Sequence, residues 1–541
     1  MERERAATFE RLGAKPFDLL VIGGGVTGAG IARDAALRGL EVALVEKTDF
    51  ASGTSSKSSK LVHGGLRYLE HAQFRLVFEG TNERALLMKL APHLVRPLEF
   101  LVPSYKRDKP GLFVLDVGLW IYDALSKFSS PKLHRTVRAS RVHKLEPGLR
   151  ATDLEGGLLY YDCATDDARL TLENVIDARA LGAEIVNHAR AVKLLYDGDR
   201  ISGAEIKDEL SDRAPVAVRA KVVINASGPW CDEVRQLAAE KPILHVSKGV
   251  HLVVDAARLN VHHAVVMKHG RRVVFCIPWG DRTVIGTTDT FYNGRPEDVR
   301  ADAADVQYLL DLANGYFPDA KLTFDDVLAT WAGLRPLIKP DSEVPNASDV
   351  SREHHILSRP GLVTIAGGKL TTFRRMAAEV VDQAALQLGA TPPSDTESKP
   401  LPGGVGLGGY AAVQKLADAL TDGGVVDAQV AKHLAATYGT RAGSVVSRVK
   451  DEPALGTRLD PETPYLLAQV DVAVEEEQAE TVDDVLGRRV PLLLRARDQG
   501  LAAAPEVAAR MASKLGWSPA RAEEEVARYR AIVETTRAFR R

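Results

Sequence analysis

Phe17 to Ile22 is a short apolar run broken by one Asp. Gly23-Gly24-Gly25-Val26-Thr27-Gly28 follows at once and leads into Ala29 to Arg38, whose composition is helical. Strand, glycine turn and helix in that order open a dinucleotide-binding βαβ unit. A second apolar run, Val42 to Val45, ends in Glu46, which lies 46 − 23 = 23 positions after the first glycine. An acid about 20 residues on is placed to accept hydrogen bonds from a ribose. Gly23 permits the tight turn, Gly25 lets backbone N–H groups approach a pyrophosphate, and Gly28 lets helix and strand pack closely. The chain also contains a contrasting copy, Gly404-Val405-Gly406-Leu407-Gly408-Gly409. It follows the polar run Ser394 to Pro400 with no strand before it, and reads as linker.

Composition excludes several classes. Across 541 residues, 70 Lys and Arg face 72 Asp and Glu, so no basic excess marks a nucleic-acid partner. Three scattered cysteines and 14 histidines without CxxC or HExxH spacing argue against a disulfide scaffold or a zinc site, and no metal is expected. Residues 1–15 mix both charges and lack the apolar core of a signal peptide. No run approaches the roughly 18 apolar residues of a spanning helix, so the expected location is cytoplasmic. Asn346-Ala347-Ser348 spells a glycosylation acceptor, which without a secretory signal is a chance match.

Further along, the hydroxyl-rich stretch Thr54 to Lys60 runs into Leu61-Val62-His63-Gly64-Gly65-Leu66-Arg67-Tyr68, where hydroxyls and amides after the second strand can hold phosphates. Short strands recur at Glu184 to Val186, Ala191 to Tyr196 and Lys221 to Asn225, the last ending in Ala226-Ser227-Gly228. From Lys248 to Asp289 the pattern is strand-rich, the sheet of a second domain. Another strand, Leu362 to Ala366, feeds Gly367-Gly368-Lys369-Leu370. That stretch is not a P-loop, because Leu370 stands where Ser or Thr must follow the lysine. From about residue 410 the chain is Ala-rich with helical spacing. Glycine motifs that return at several strand ends suit one large buried cofactor, a flavin, better than a nicotinamide.

Together the strings GGGVTGAGIARDAALRGL, TSSKSSKLVHGGLRYLE, YYDCATDDARL, NASGPW, KGVHLVV, IPWGDRTVIGTTD, AGLRPL and GGKLTTFR, spread over residues 16 to 376, resemble the FAD-dependent, membrane-associated glycerol-3-phosphate dehydrogenases. The resemblance implies an α/β fold, α+β overall: a Rossmann-type FAD-binding domain interleaved with a mainly antiparallel substrate domain, plus an all-helical C-terminal domain. The expected division is 16–70, 150–240 and 345–395 for FAD, 71–149 and 241–344 for substrate, 396–409 as linker, and 410–541 as the helical domain. It implies non-covalent FAD, oxidation of sn-glycerol 3-phosphate to dihydroxyacetone phosphate, and electrons passed to a membrane quinone. By the same resemblance Val192 lies near the adenine, Thr54 and Ser55 at the pyrophosphate, and Gly367 to Leu370 at the isoalloxazine. His63, Gly64, Ser227 and Gly228 complete the cofactor set with Gly23, Gly25, Gly28 and Glu46.

Oxidising a secondary alcohol needs a hydride acceptor and a group that takes the hydroxyl proton. His251 is the expected base, because an ordinary imidazole titrates near pH 6.5. Arg335 is expected to stabilise the developing alkoxide, and Arg67, Arg352 and Lys369 to hold the phosphate. Lys106, Arg107 and Lys109 precede an aromatic-bearing amphipathic segment, so 106–132 is the expected peripheral membrane contact, on the cytoplasmic face. A homo-oligomer is compatible with all of this. An oxidase that makes hydrogen peroxide and a non-catalytic flavin-binding partner protein are the alternatives.

Overall fold

The computed structural model describes residues 2–71, 73–270, 272–339, 353–389 and 391–541, with the side chains of 2, 3, 67, 70 and 71 excepted. Arg352 and Asn346-Ala347-Ser348 lie outside the described residues, as does the side chain of Arg67. Two sheets and a helical region make up the rest. The first sheet places β1 (Phe17–Ile22) between β2 (Val42–Val45) and β10 (Val216–Asn225). It is parallel outward to β7 (Glu184–Val186) on one side and to β18 (Leu362–Gly367) on the other. Antiparallel β17 (His354–Arg359) closes the edge beyond β18, and the hairpin of β8 (Ala189–Asp197) and β9 (Arg200–Asp208) continues from β10.

Strands covered on both faces must be apolar on both. Leu19 and Val21 face Ala29, Ile31 and Ala35 of the helix α2 (Val26–Leu37), together with helices Asp167–Ala180 and Phe373–Leu388. Leu20 and Ile22 face the opposite side, where Phe9 and Leu12 of the N-terminal helix α1 (Glu2–Ala14) and the β8–β9 hairpin cover the sheet.

The second sheet is antiparallel throughout, except that β12 (Ala264–His269) runs parallel to β4 (Arg96–Tyr105). Its path starts at β16 (Val327–Arg335) and crosses β11 (Ser247–Asp255), β14 (Arg282–Gly286), β13 (Arg272–Trp279), β12 and β4. It ends at β6 (Leu154–Ala164) with β3 (Leu61–Val62) and β5 (Arg135–Arg138), while β15 (Thr290–Phe291) pairs with β11. The expected boundaries shift here. β3 and β6 fall inside the ranges assigned to the FAD domain, yet both belong to the second sheet. β6 runs along the whole of β4, from Arg96 opposite Ala164 to Tyr105 opposite Leu154, a non-local pairing invisible to a linear division.

From Tyr410 onward the named elements are helical. The segment 396–409, expected as a linker, is packed: the Gly403 N–H donates to Glu173 at 2.7 Å and the Leu401 N–H to the Leu90 carbonyl at 2.9 Å. The helical region is clamped to the first sheet by charge. Asp49 accepts from Arg488 at 2.5 Å and from Arg489, while Arg169 donates to Glu477 at 2.7 Å, all of them buried. Asp49, His188 and Asp484 come close enough together to bind a cation, but the two arginines already supply that positive charge.

Candidate active site

β1 and β10 end side by side, with Ile22 opposite Asn225, and β2 lies on the far side of β1. Connections that leave in opposite directions open a crevice at the strand ends, where ligands of such sheets bind. The glycines shape it. Gly23 has φ +116°, and a Cβ there would sit 2.6 Å from the Ala226 carbonyl oxygen. A Cβ on Gly28 would stand 1.9 Å from the Gly23 carbonyl oxygen, so only glycine lets α2 begin so close to β1. The Val26 N–H in the first turn of α2 donates to Ser55 Oγ at 2.9 Å, which puts Ser55 at the helix end that favours anions. Glu46 accepts from the Gly24 N–H at 2.7 Å and the Thr48 N–H at 2.9 Å. Those bonds, with a third from the Thr48 hydroxyl at 3.2 Å, fix its carboxylate at the end of β2.

A cavity of about 920 Å³ gathers residues from the whole of the first 376 positions. Gly23, Gly25, Glu46, Thr54, Ser55, His63, Val192, Ser227, Gly228, Gly367, Gly368, Lys369 and Leu370 line it together with His251 and Arg335. Its size, its helix N-terminus and the acid at the end of β2 fit a dinucleotide such as FAD. Two of the expected cofactor residues make packing contacts of their own. Gly64 is buried behind the wall that His63 and Gly65 form. Its N–H donates to the Tyr122 hydroxyl at 3.0 Å, and a Cβ would meet Thr81 and Tyr122 at 2.4 Å, so it is a packing glycine. Thr54 lines the cavity, and its hydroxyl donates to the Leu334 carbonyl at 2.5 Å, which ties the 54–60 loop to β16.

At the other end of the cavity β14, β11 and β16 present one face. His251 pairs with Gly286 on one side and Trp331 on the other, and Gly249 pairs with Gly333. Each glycine makes room for something. A Cβ on Gly286 would meet the His251 ring at 2.2 Å, one on Gly249 the Arg335 guanidinium at 2.6 Å, and one on Gly333 the Lys57 carbonyl oxygen at 2.7 Å. Arg335 therefore lies across Gly249, where it reaches Asp289 at 3.3 Å and Thr287 at 3.3 Å.

His251 stacks on Trp331 with ring centroids 4.8 Å apart and 12° between planes, and its Nε2 is 2.8 Å from Ser59 Oγ. Its Nδ1 is buried with no hydrogen-bond partner among the described residues. Burial first, then the positive charges of Arg335 and Lys60, hold its pKa well below the ordinary value. The ring is neutral at neutral pH, which corrects the expectation of a group that titrates near 6.5. Lys369 holds its ammonium 3.6 Å from the centre of the Tyr68 ring, on the cavity wall.

Ser59, Trp331 and Asp289 escaped the reading of the sequence. A signal for the face did exist: a glycine stands two residues before both His251 and Arg335, which marks one side of each strand as open. The arrangement can hold a dinucleotide along its length and bring an anionic alcohol against Arg335, Lys369 and a neutral imidazole.

On the outside, α4 (Leu112–Leu125) buries Leu119 and Tyr122. It leaves Phe113 80% and Trp120 53% exposed beside exposed Val114, Val117 and Ile121. Phe74 and Phe78 of α3 (Phe74–Leu90) extend this patch, and Lys127 lies 5.1 Å from the Phe78 ring centre. Among the described residues no helix is long and apolar enough to cross a membrane.

The FAD dependent oxidoreductase family matches residues 18–374, and the C-terminal domain of alpha-glycerophosphate oxidase matches residues 394–522. The chain is 40% identical to a glycerol-3-phosphate dehydrogenase of Mycobacterium leprae over 98% of its own length and 90% of the relative's. To the aerobic glycerol-3-phosphate dehydrogenase of Bacillus subtilis it is 38% identical, over 90% and 89% of the two chains. The solved glycerol-3-phosphate dehydrogenase of Bacillus halodurans, complexed with FAD, superposes with a TM-score of 0.82 at 34% identity, covering 99% of this chain and 98% of that one. A fold that ends two sheets around one dinucleotide cavity belongs to an FAD-dependent oxidoreductase, and within that class this chain belongs to the glycerol-3-phosphate dehydrogenase family.

Proposed function

We propose that the chain oxidises sn-glycerol 3-phosphate at its secondary hydroxyl to dihydroxyacetone phosphate and passes the electrons to a membrane quinone. The observation that carries this reading is that His251, Arg335 and Lys369 line the same cavity as the glycine turn. The names of the relatives at 40% and 38% identity point to the substrate. FAD, when bound, supplies a two-electron hydride acceptor. The first sheet serves the cofactor and the second the substrate.

The protein's own groups then divide the work. Arg335, held by Asp289 and Thr287, donates to the substrate oxygen and stabilises negative charge as the hydride leaves. His251, a neutral imidazole in the cavity wall held through Nε2 by Ser59 Oγ, receives the hydroxyl proton. Lys369 binds the phosphate with Arg67 and Arg352.

The apolar face of α4, flanked by exposed Lys106, Arg107, Lys109, Lys127 and Lys132, rests in the interfacial layer of the cytoplasmic face of the membrane. In liposomes that contain anionic lipid and a long-chain quinone, the enzyme should sediment with the lipid. It should form quinol in step with glycerol 3-phosphate oxidation. Stoichiometric hydrogen peroxide in air, with no quinol, would make it an oxidase instead.

A further inference from the structure

One carboxylate joins the two halves of the molecule beside the cofactor cavity. Lys47 and Trp230 line that cavity on the side of the first sheet, one residue after Glu46 and three residues after Ser227. Glu297 Oε1 accepts from both, from Lys47 Nζ at 2.7 Å and from Trp230 Nε1 at 2.6 Å. Lys47 also stands 4.3 Å from the centre of the Trp230 ring and 3.5 Å from Glu233, another residue of the wall. The ring in turn covers Gly53, where a Cβ would meet it at 2.9 Å. With side-chain exposures of 15% for Lys47 and 33% for Glu297, this clasp sits at the rim of the cavity and not in its floor.

Glu297 is carried by a strap, residues 292–302, which leaves the second sheet after β15 and returns to it at the helix Ala303–Tyr316. Both ends are tied down. The Tyr292 N–H donates to the Val246 carbonyl at 3.1 Å, and Lys248 of β11 donates to Asp302 at 2.7 Å and to Asp305 at 2.6 Å. Between the ties Asn293 to Arg295, Glu297 and Asp298 are exposed, and Glu297 reaches across to the first-sheet unit.

We infer that this clasp is the latch of the port through which FAD passes into and out of its cavity. A dinucleotide held between two units passes most readily where the units meet through surface contacts, because exposed ion pairs break far more easily than paired strands or packed side chains. The clasp consists of protein groups alone. It breaks for passage in either direction and re-forms afterwards, so it raises the barrier without changing the affinity. The cofactor is retained for longer, and bound no more tightly.

Two measurements on the intact holoenzyme test this. Exchange of bound FAD against excess radiolabelled FAD reads the release rate. A dilution series followed by the fluorescence of free FAD reads Kd. Glu297→Ala should exchange about three- to tenfold faster than wild type with Kd within about twofold, so that release and uptake rise together. Glu297→Gln, which keeps an acceptor oxygen and loses the charge, should lie between. Asp298→Ala, at the neighbouring exposed acid, should exchange at the wild-type rate. Raising the ionic strength should speed exchange in wild type and leave Glu297→Ala unchanged.

Exchange at the wild-type rate in both Glu297 variants would overturn the inference. So would a Kd that weakens in proportion to the exchange rate, which would make Glu297 part of the cofactor's own binding set. Equal acceleration by Asp298→Ala would overturn it too, because the charge of the strap and not the clasp would then set the rate.

Discussion

Ser59 and His251, 192 positions apart, meet at 2.8 Å through Oγ and Nε2. Trp331 stacks on the imidazole and no described group bonds its Nδ1, so among the described residues Ser59 alone holds the ring by a hydrogen bond. Ser59→Ala should leave FAD absorbance unchanged. It should lower kcat by roughly 10- to 100-fold with a smaller effect on KM, less than the roughly 10²- to 10⁴-fold that loss of a general base itself costs. Ser59→Thr keeps the hydroxyl and should recover most of the rate. Steady-state kinetics across pH would show a profile shifted in Ala and restored in Thr; equal defects in both would mean that Ser59 only fills space.

Arg335 lies over Gly249 and is oriented by Asp289. Arg335→Ala should cut turnover by roughly 10³-fold, about 4 kcal/mol, while the protein stays yellow. Arg335→Lys keeps the charge but not the planar fork, and should recover little. Turnover near wild type in the Ala variant would remove Arg335 from the chemistry.

Two glycine-rich stretches should respond differently. In Gly28→Ala the new methyl would lie 1.9 Å from the Gly23 carbonyl oxygen, so the turn must open and FAD should be lost on gel filtration. A Cβ on Gly408, in the second GxGxxG string, meets nothing within 4 Å, and Gly408→Ala should retain the flavin.

Buried histidines set the acid limit. Burial, followed by the nearby Arg169, lowers His93 to about 3, and burial, followed by Arg495, does the same for His433. The unfolded chain takes up a proton near pH 6.5 that the folded chain refuses until about 3. The stability each histidine contributes is therefore full above pH 6.5 and is lost as pH falls below it, at about 1.4 kcal/mol per pH unit. Urea unfolding of His93→Gln and His433→Gln between pH 6 and pH 4 should fall off less steeply than wild type by about that slope each. Slopes equal to wild type would mean that these imidazoles protonate in the folded state.

The glycine turn and Glu46 were legible because strand, turn, helix and acid are local in sequence. The division into domains was less so, since β6 finds β4 and β3 across intervening chain. The role of Gly64 depends on Thr81 and Tyr122, from two helices that no short pattern places beside it. The proton affinity of His251 is set by burial and by Arg335 and Lys60, one far along the chain on either side, so a residue type near pH 6.5 in solution became one that stays neutral. The pairing of β11 with β16 brought both chemical residues to one face, and the glycines two positions before each are its trace in the sequence.

The proposed function requires one cavity to hold a flavin and an alcohol phosphate within reach of each other. Adding glycerol 3-phosphate to the purified yellow protein without oxygen tests it most directly. The flavin absorbance should bleach with one equivalent of dihydroxyacetone phosphate formed per flavin, and glycerol at the same concentration should leave it unchanged. Flavin that stays oxidised with glycerol 3-phosphate, or that bleaches equally with glycerol, would contradict the claim.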